Sequence, residues 1–487
     1  MLRAFAAAVV MSTCAWVGPA LAGDRALLAA LDGGLEATTA ASSAAAGGSP
    51  SRVQVQYDRA RDLQERVRTA APFSASCHGL GGWTARYAAA EVATAEGFDR
   101  LEPGRARRFR VAAVAARSRI ASARRVCRPG ATRRPTTPPP LVEPRPWSAS
   151  FGQIVARAPA GSDTATLYAN GASSGPLAIS GGLARARLIG QAGRYTLEVR
   201  FMRGTAVIGV ARSPGVWLLP ATATQRIRTA SEDATWQSQV RQATSRFSGT
   251  SAVWVHDLST GRAASWNAGA VFPAASTVKL GVLVEAARRM GPQPDGSSLF
   301  HDAQAIGAWS SNLAANRLLR RVGGSVGVQS ALRRMGATSS TYTGPYSVAT
   351  ERPPVDAPDP PPRVSGRVTT AADLGSVMRV LHQAAAGDSG ALASTRMTSV
   401  RARLALGLLL SSEAAGDNVG VFRAALGAAV PAAQKHGWIS SARHSAAVVY
   451  TARGPVVIVA LTYQPRLTLA AAARFGAELV TIASATG

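Results

Sequence analysis

The spacing of apolar residues changes character along the chain, and each change predicts a different kind of structure. Between residues 23 and 130, apolar positions recur at helical intervals. Asp24-Arg-Ala-Leu-Leu-Ala-Ala-Leu31 opens on a capping residue, and Gln56 to Ala71 mixes polar and apolar residues at helical spacing. Leu101 to Val126 repeats Val111, Val114, Ile120 and Val126 among many arginines. This stretch predicts an α-helical domain whose arginines form a solvated basic surface. Residues 131–146 follow with Pro135, Pro138, Pro139, Pro140 and Pro144 and few large apolar side chains, the composition of a stiff polyproline-type linker.

Over residues 147–220 the period shortens. Gly and Ser clusters separate runs such as Thr164 to Tyr168, Ala184 to Ile189, Arg194 to Phe201 and Thr205 to Val210. Tyr195, Leu197, Val199 and Phe201 alternate onto one face of a strand. Strands at this spacing predict a small β-sandwich domain, and the run Gly193-Arg-Tyr195-Thr-Leu is similar to one in bacterial immunoglobulin-like modules. Residues 221–487 read as strands, then many helices, then strands. Ala252 to Asp257 and Arg262 to Trp266 flank a Leu258-Ser-Thr-Gly261 turn, and Ser445 to Tyr450 and Val456 to Thr462 flank an Arg453-Gly-Pro455 turn. A helix from Leu467 to Ala485 closes the chain. First and last strands pairing around a helical middle predict a mixed α/β domain.

Composition sharpens this picture. Apolar residues make up 47% of 487, enough for two or three cores. Lys and Arg outnumber Asp and Glu by 54 to 27, a formal charge of +27 that attracts polyanions. The first 22 residues choose among polyanions. Met1-Leu-Arg3 is a short positive start, an apolar run follows from Ala4 to a Gly18-Pro19 break, and Ala20-Leu-Ala22 is a small-x-small cleavage site. That pattern is a secretory signal peptide, which disfavours nucleic acid and leaves two readings of the charge: attraction to anionic cell-wall polymers or lipid surfaces, or a basic solvated surface with no partner. No later segment is apolar enough to span a bilayer. Cys14 lies inside the signal, where Ser12-Thr13 fits a lipid-anchor site poorly. Cys77 and Cys127 remain as an even pair in an exported chain, which predicts a disulfide. It would close a loop of about 50 residues, worth roughly 4 kcal/mol in the chain-entropy model.

The chain holds two lysines, Lys279 and Lys435; every other strong base is Arg. Arg cannot give up its proton, whereas a desolvated Lys becomes a neutral base. Ser276-Thr-Val-Lys279 puts a hydroxyl and an amine three apart, on one helix face. Such an amine can take the hydroxyl proton and create a nucleophile. Lys435-His-Gly437 lies just before a predicted strand, and a second cation there depresses both amines. Ser310-Ser-Asn312 opens a helix, where capping is the structural reading. His78, His256, His301, His382 and His444 have no metal-ligand spacing, and nothing calls for a metal or other cofactor.

In order, S-x-x-K, S-x-N and K-x-G resemble the signature of class A β-lactamases and penicillin-binding D,D-peptidases. Asp257 to Arg262, Phe272 to Leu280, Ser310 to Leu319, Thr369 to Leu374 and Lys435 to Trp438 each look like class A segments, over roughly residues 231–487. The resemblance implies an α/β fold with an antiparallel sheet and a serine acyl-enzyme mechanism on β-lactams or peptidoglycan peptides. By that resemblance Ser276 attacks, Lys279 takes its proton, Ser310 relays a proton to the leaving nitrogen, and Asn312 binds the substrate amide. Lys435 holds the substrate carboxylate with His436 and Gly437, and the N–H groups of Ser276 and Trp438 form an oxyanion hole worth about 3 kcal/mol per donor.

Three departures qualify what the resemblance implies. Ser311 stands where the family has a structural Asp, and His436 stands where it has a hydroxyl residue. The Glu-x-x-x-Asn pattern that carries the water-activating base is missing; Glu351, in a proline-rich stretch, is the candidate deacylation base. The sequence therefore supports an exported serine hydrolase, against a second reading as a catalytically degenerate cell-wall binding or scaffold protein.

Overall fold

A computed structural model describes residues 24–46, 49–69, 77–127, 141–224, 226–291, 298–349, 366–412, 420–427 and 430–484. The secretory-signal pattern, Cys14, most of the proline-rich linker and Glu351 lie outside the described residues.

Four helices come first: α1 (Asp24–Ala45), α2 (Pro50–Thr69), α3 (His78–Asp99) and α4 (Pro103–Val126). The Cys77–Cys127 disulfide joins the start of α3 to the end of α4. The inward face of α4 differs from the expected one. Ala106, Ala113, Ala116, Ile120 and Ala123 are buried, while Val111, Val114 and Val126 are exposed. Close approach explains this. A Cβ at Gly97 of α3 would meet the Ala106 nitrogen at 2.7 Å, so the seam between α3 and α4 admits small side chains and turns the valines outward.

Eight strands follow: β1 (Leu141–Glu143), β2 (Ala149–Ser150), β3 (Gln153–Arg157), β4 (Thr164–Ala169), β5 (Ala172–Ser180), β6 (Leu183–Arg187), β7 (Gly193–Arg203) and β8 (Ala206–Leu218). They form one continuous sheet ordered β1-β3-β6-β5-β4-β7-β8-β2. The sheet is nearly closed and barrel-like, and the immunoglobulin-like sandwich expected from the alternation is not confirmed. Period-two alternation buries one face in either architecture. The choice is made by irregularities at Thr166/Tyr168, Tyr195/Leu197 and Phe201/Met202, where the register shifts and the strands bend. The sheet also starts earlier than the linker reading allowed, because Leu141 is buried in its core.

The remaining elements are β9 (Ser231–Glu232), α5 (Ala234–Arg246), β10 (Thr250–Asp257), β11 (Arg262–Trp266), β12 (Phe272–Pro273), α6 (Lys279–Arg289), α7 (Ser298–Trp309), α8 (Asn312–Val322) and α9 (Gly324–Arg334). Then come β13 (Val368–Thr369), α10 (Ala371–Ala386), α11 (Ser389–Thr395), α12 (Ser399–Leu410), β14 (Ala432–Ile439), β15 (Ala442–Tyr450), β16 (Pro455–Tyr463) and α13 (Leu469–Ser484). Six strands order as β14-β15-β16-β10-β11-β9. The early strand β10 pairs antiparallel with the late strand β16, from Thr250 opposite Tyr463 to Asp257 opposite Val456. One face of this sheet packs on α5 and α13 through Trp236, Val240, Phe475 and Leu479, and the other packs on the helical middle.

The N-terminal helices are docked on that middle. Val53, Tyr57, Ala60, Val92 and Ala95 belong to the same buried cluster as α6, α8 and α12. Tyr57 donates its hydroxyl to Asp302 at 3.1 Å, and Arg317 bridges Asp302 at 3.0 Å and Asp62 at 2.8 Å. Among the described residues, no helix is long and apolar enough to cross a membrane.

Candidate active site

Ser276 is half-buried in the turn between β12 and α6. Thr277 closes that turn, its N–H and hydroxyl both donating to the Ala274 carbonyl at 3.0 and 2.7 Å. Lys279 follows as the first residue of α6. The backbone of Ala275 has φ 48° and that of Ser310 has φ 61°. Left-handed non-glycine residues cost on the order of 1–3 kcal/mol and persist where their surroundings fix them. Both strained positions here flank the candidate chemistry. Behind them, buried His444 places Nε2 2.8 Å from the Pro273 carbonyl and accepts the Thr462 N–H on Nδ1 at 3.2 Å. Burial pushes this imidazole down to about 4, so it stays neutral and braces β12 with a fixed tautomer.

Lys435, His436, Gly437 and Trp438 lie within β14, where the sequence pattern had put them just ahead of a strand. The strand runs hard against the Ser276 turn. A Cβ at Gly437 would come within 2.7 Å of the Ser276 nitrogen and 2.8 Å of the Thr277 nitrogen. Only glycine lets β14 approach so closely. Trp438, next along, is exposed at 43% and carries Arg443 over its ring, 5.5 Å from the centroid.

Both lysines are fully buried. Lys279 Nζ donates to the Ser310 carbonyl at 2.5 Å and to Asn312 Oδ1 at 2.6 Å. Lys435 Nζ donates to Ser310 Oγ at 2.7 Å and to the His436 carbonyl at 2.6 Å. Ser310 is thus held between the two amines. Burial pushes Lys279 down to about 7; Asp99 and Glu96 oppose that fall and Arg367 adds to it. Lys435 is pushed well below its ordinary value by burial and by the Lys279 charge. The amine that touches a hydroxyl is Lys435, on Ser310 Oγ; Lys279 spends its hydrogen bonds on the Ser310 carbonyl and Asn312 and, among the described residues, makes none to Ser276 Oγ. Asn312 Nδ2 donates to the Ser347 carbonyl at 2.8 Å. Ser311 caps α8 by accepting the Ala314 N–H at 3.1 Å, so a serine does the capping that its position calls for.

Two site residues come from a part of the chain where the sequence offered no chemistry. Glu96 and Asp99, one helical turn apart at the end of α3, reach the start of α8. Ser311 Oγ donates to Glu96 Oε1 at 2.6 Å. Burial, then the Glu96 charge, pushes the Asp99 carboxyl up to about 7, against the pull of Lys279 and the N–H groups of Ala349 and Asn312. The available signal was weak: Glu96 and Asp99 share a helix face in a chain where acids are outnumbered two to one. His78 to Asp99 carries no distinctive motif, and only folding brings it 180 residues forward to Lys279.

Comparison with known proteins follows the same boundaries. The model of the beta-lactamase enzyme family matches residues 235–297 and 292–484, slightly more than half of the chain. Among solved structures the chain is similar to PBP-A at 17% identity, covering 52% of this chain and 97% of that one with a TM-score of 0.41. It is similar to an ancestral class A β-lactamase (GNCA) at 19% identity, covering 50% of this chain and 98% of that one with a TM-score of 0.40. It is also similar to a β-lactamase from Xanthomonas campestris pv. campestris at 16% identity, covering 50% and 96% with a TM-score of 0.40. No curated protein matches the chain.

Proposed function

The chain belongs to the beta-lactamase enzyme family, and on that premise we propose that it is an exported serine hydrolase whose Ser276 is acylated by β-lactams or D-Ala-D-Ala-like amides. The observation that carries the reading is the buried chain Lys279–Ser310–Lys435 beside the Ser276 turn. Neutral Lys279 takes the Ser276 proton as Oγ attacks the carbonyl carbon. The N–H groups of Ser276 and Trp438 receive the developing oxyanion. Ser310, its oxygen held by Lys435, passes a proton to the leaving nitrogen. Asn312 orients the substrate amide, and Lys435, His436 and Gly437 line the carboxylate side. The imidazole of His436 offers a donor in place of a hydroxyl, which favours a substrate carboxylate set slightly further from the strand. The disulfide and the leader-like first 22 residues support an oxidising, extracytoplasmic setting at the cell wall.

A fluorescent penicillin and intact-mass measurement test this directly. The native protein should gain the mass of the drug within minutes, and Ser276→Ala should gain nothing. Native protein that takes no adduct from any β-lactam or acyl-ester probe would overturn the reading and leave the degenerate, wall-binding alternative.

A further inference from the structure

An ester on Ser276 is released only if something activates water against it, and the described part of the catalytic region offers no carboxylate for that beside Lys279. The helical region does. Two acids sit at the end of α3, and each keeps an idle oxygen: Glu96 Oε2 and Asp99 Oδ1 are buried and have no hydrogen-bond partner among the described residues. They are not equivalent. Glu96 is 3% exposed and spends its other oxygen on the Ser311 hydroxyl. Asp99 is half-buried as a residue, although its Oδ1 is covered; it accepts the backbone N–H groups of Asn312, the first residue of α8, and of Ala349, and feels the Lys279 charge. Asn312 is the residue whose amide oxygen takes Lys279 Nζ and whose backbone N–H reaches Asp99, so one residue at the start of α8 links the α3 carboxylate to the buried amine. The charged groups acting on this link are Glu96 from α3, Lys279 from α6, Arg367 ahead of β13 and Lys435 from β14. Glu96 raises the proton affinity of Asp99, and Lys279 restrains it. A carboxylate so balanced is a usable base at neutral pH.

We propose that Asp99, delivered by the N-terminal helical region, is the general base that activates water to release the acyl group from Ser276. The proposal rests on the acyl-enzyme reading above. As the water oxygen bonds to the ester carbonyl carbon, one of its protons passes to Asp99 Oδ1. The carbonyl electrons move onto the oxygen held by the N–H groups of Ser276 and Trp438. They return as the C–Oγ bond breaks, and the proton on Asp99 reaches Ser276 Oγ by way of Lys279. The acid product carries the water oxygen and its other proton, and both residues end as they began. Glu96 acts through Asp99 as a positioning residue. In this protein the helical region completes the site.

The full-length protein is labelled with a fluorescent penicillin, excess drug is removed, and release of label is followed. Asp99→Asn should still label Ser276, with the acid limb of labelling moved to lower pH because the Asp99 charge no longer holds Lys279 up, and should release the label about 100-fold or more slowly, with Asp99→Glu recovering part of the loss. Native release should rise with pH and level off above about 7, as Asp99 loses its proton. Equal release rates in native protein and Asp99→Asn, a native release flat from about pH 5 to 9, or loss of release in Glu351→Gln with Asp99→Asn unaffected would each overturn the proposal. If Asp99→Asn fails to fold, Asp99→Glu decides: release at the full native rate with the carboxylate moved by one methylene would overturn the proposal. Absence of label on both proteins would instead bring down the acyl-enzyme reading.

Discussion

A single lysine carries most of the electrostatic argument. Lys279 is buried among hydrogen-bond acceptors, and desolvation is the leading reason its amine falls to about 7. The sign of the resulting pH dependence is fixed. Below that value the amine is protonated and cannot accept the Ser276 proton; above it the neutral base predominates. Labelling of Ser276 by a fluorescent penicillin should therefore climb with pH up to about 7 and then level off, close to tenfold per pH unit on the acid limb. A labelling rate independent of pH between about 5 and 8 would show that another group takes the proton. The same depression bears on stability. The folded chain binds fewer protons at Lys279 than the unfolded chain between about pH 7 and 10.4, so this residue's contribution to stability rises with pH across that window. The fold bears a cost at neutral pH to keep the base usable.

Among the elements, α3 is the least legible in sequence and the most consequential for the site. Its far end holds Glu96 and Asp99, and its near end is tied by Cys77 to Cys127 beyond α4. The bridge and the tight Gly97–Ala106 seam make α3 and α4 one rigid hairpin. Replacing both cysteines by serine should cost roughly 4 kcal/mol in the chain-entropy model, read as a lower urea midpoint for the helical region. An unchanged midpoint would mean that packing alone holds the hairpin. Strand β14 shows the complementary case. Lys435 and Gly437 were legible as a motif, yet their place inside a strand was hidden because Ala432 to Gly437 is buried on both faces and shows no alternation.

For the molecule as a whole, the helical region is not a separately folded appendage. It shares a core with the C-terminal region and is pinned to it by the ion pairs Arg61–Asp302, Arg317–Asp62 and Arg320–Asp58; Arg317 also holds Asp302 from its own side of the interface. Arg317 is 3% exposed and the Asp302 side chain 0%, so the pair is sealed from water. Arg317→Met should destabilise the protein by roughly 1.5–3 kcal/mol, because Asp302 loses its 3.0 Å partner and keeps only Arg61 at 3.5 Å and the Tyr57 hydroxyl. Denaturant unfolding measures this, and a loss below about 1 kcal/mol would mean that the interface is wetter than the packing implies.

Local chemistry was written in the sequence and distant chemistry was not. The sequence by itself determined the helical, strand-rich and mixed regions, the Cys77–Cys127 pair, and the order of Ser276, Lys279, Ser310, Asn312 and Lys435. Each of these follows from local periodicity, residue chemistry or short spacing. Only the tertiary structure decided that the middle strands curl into one nearly closed sheet, that α4 turns its valines outward, and that the end of α3 docks on the start of α8, close enough for the Asp99 and Lys279 charges to act on each other. Those outcomes depend on how closely two backbones approach and which surfaces dock, and such distances are set by packing between segments far apart in the chain.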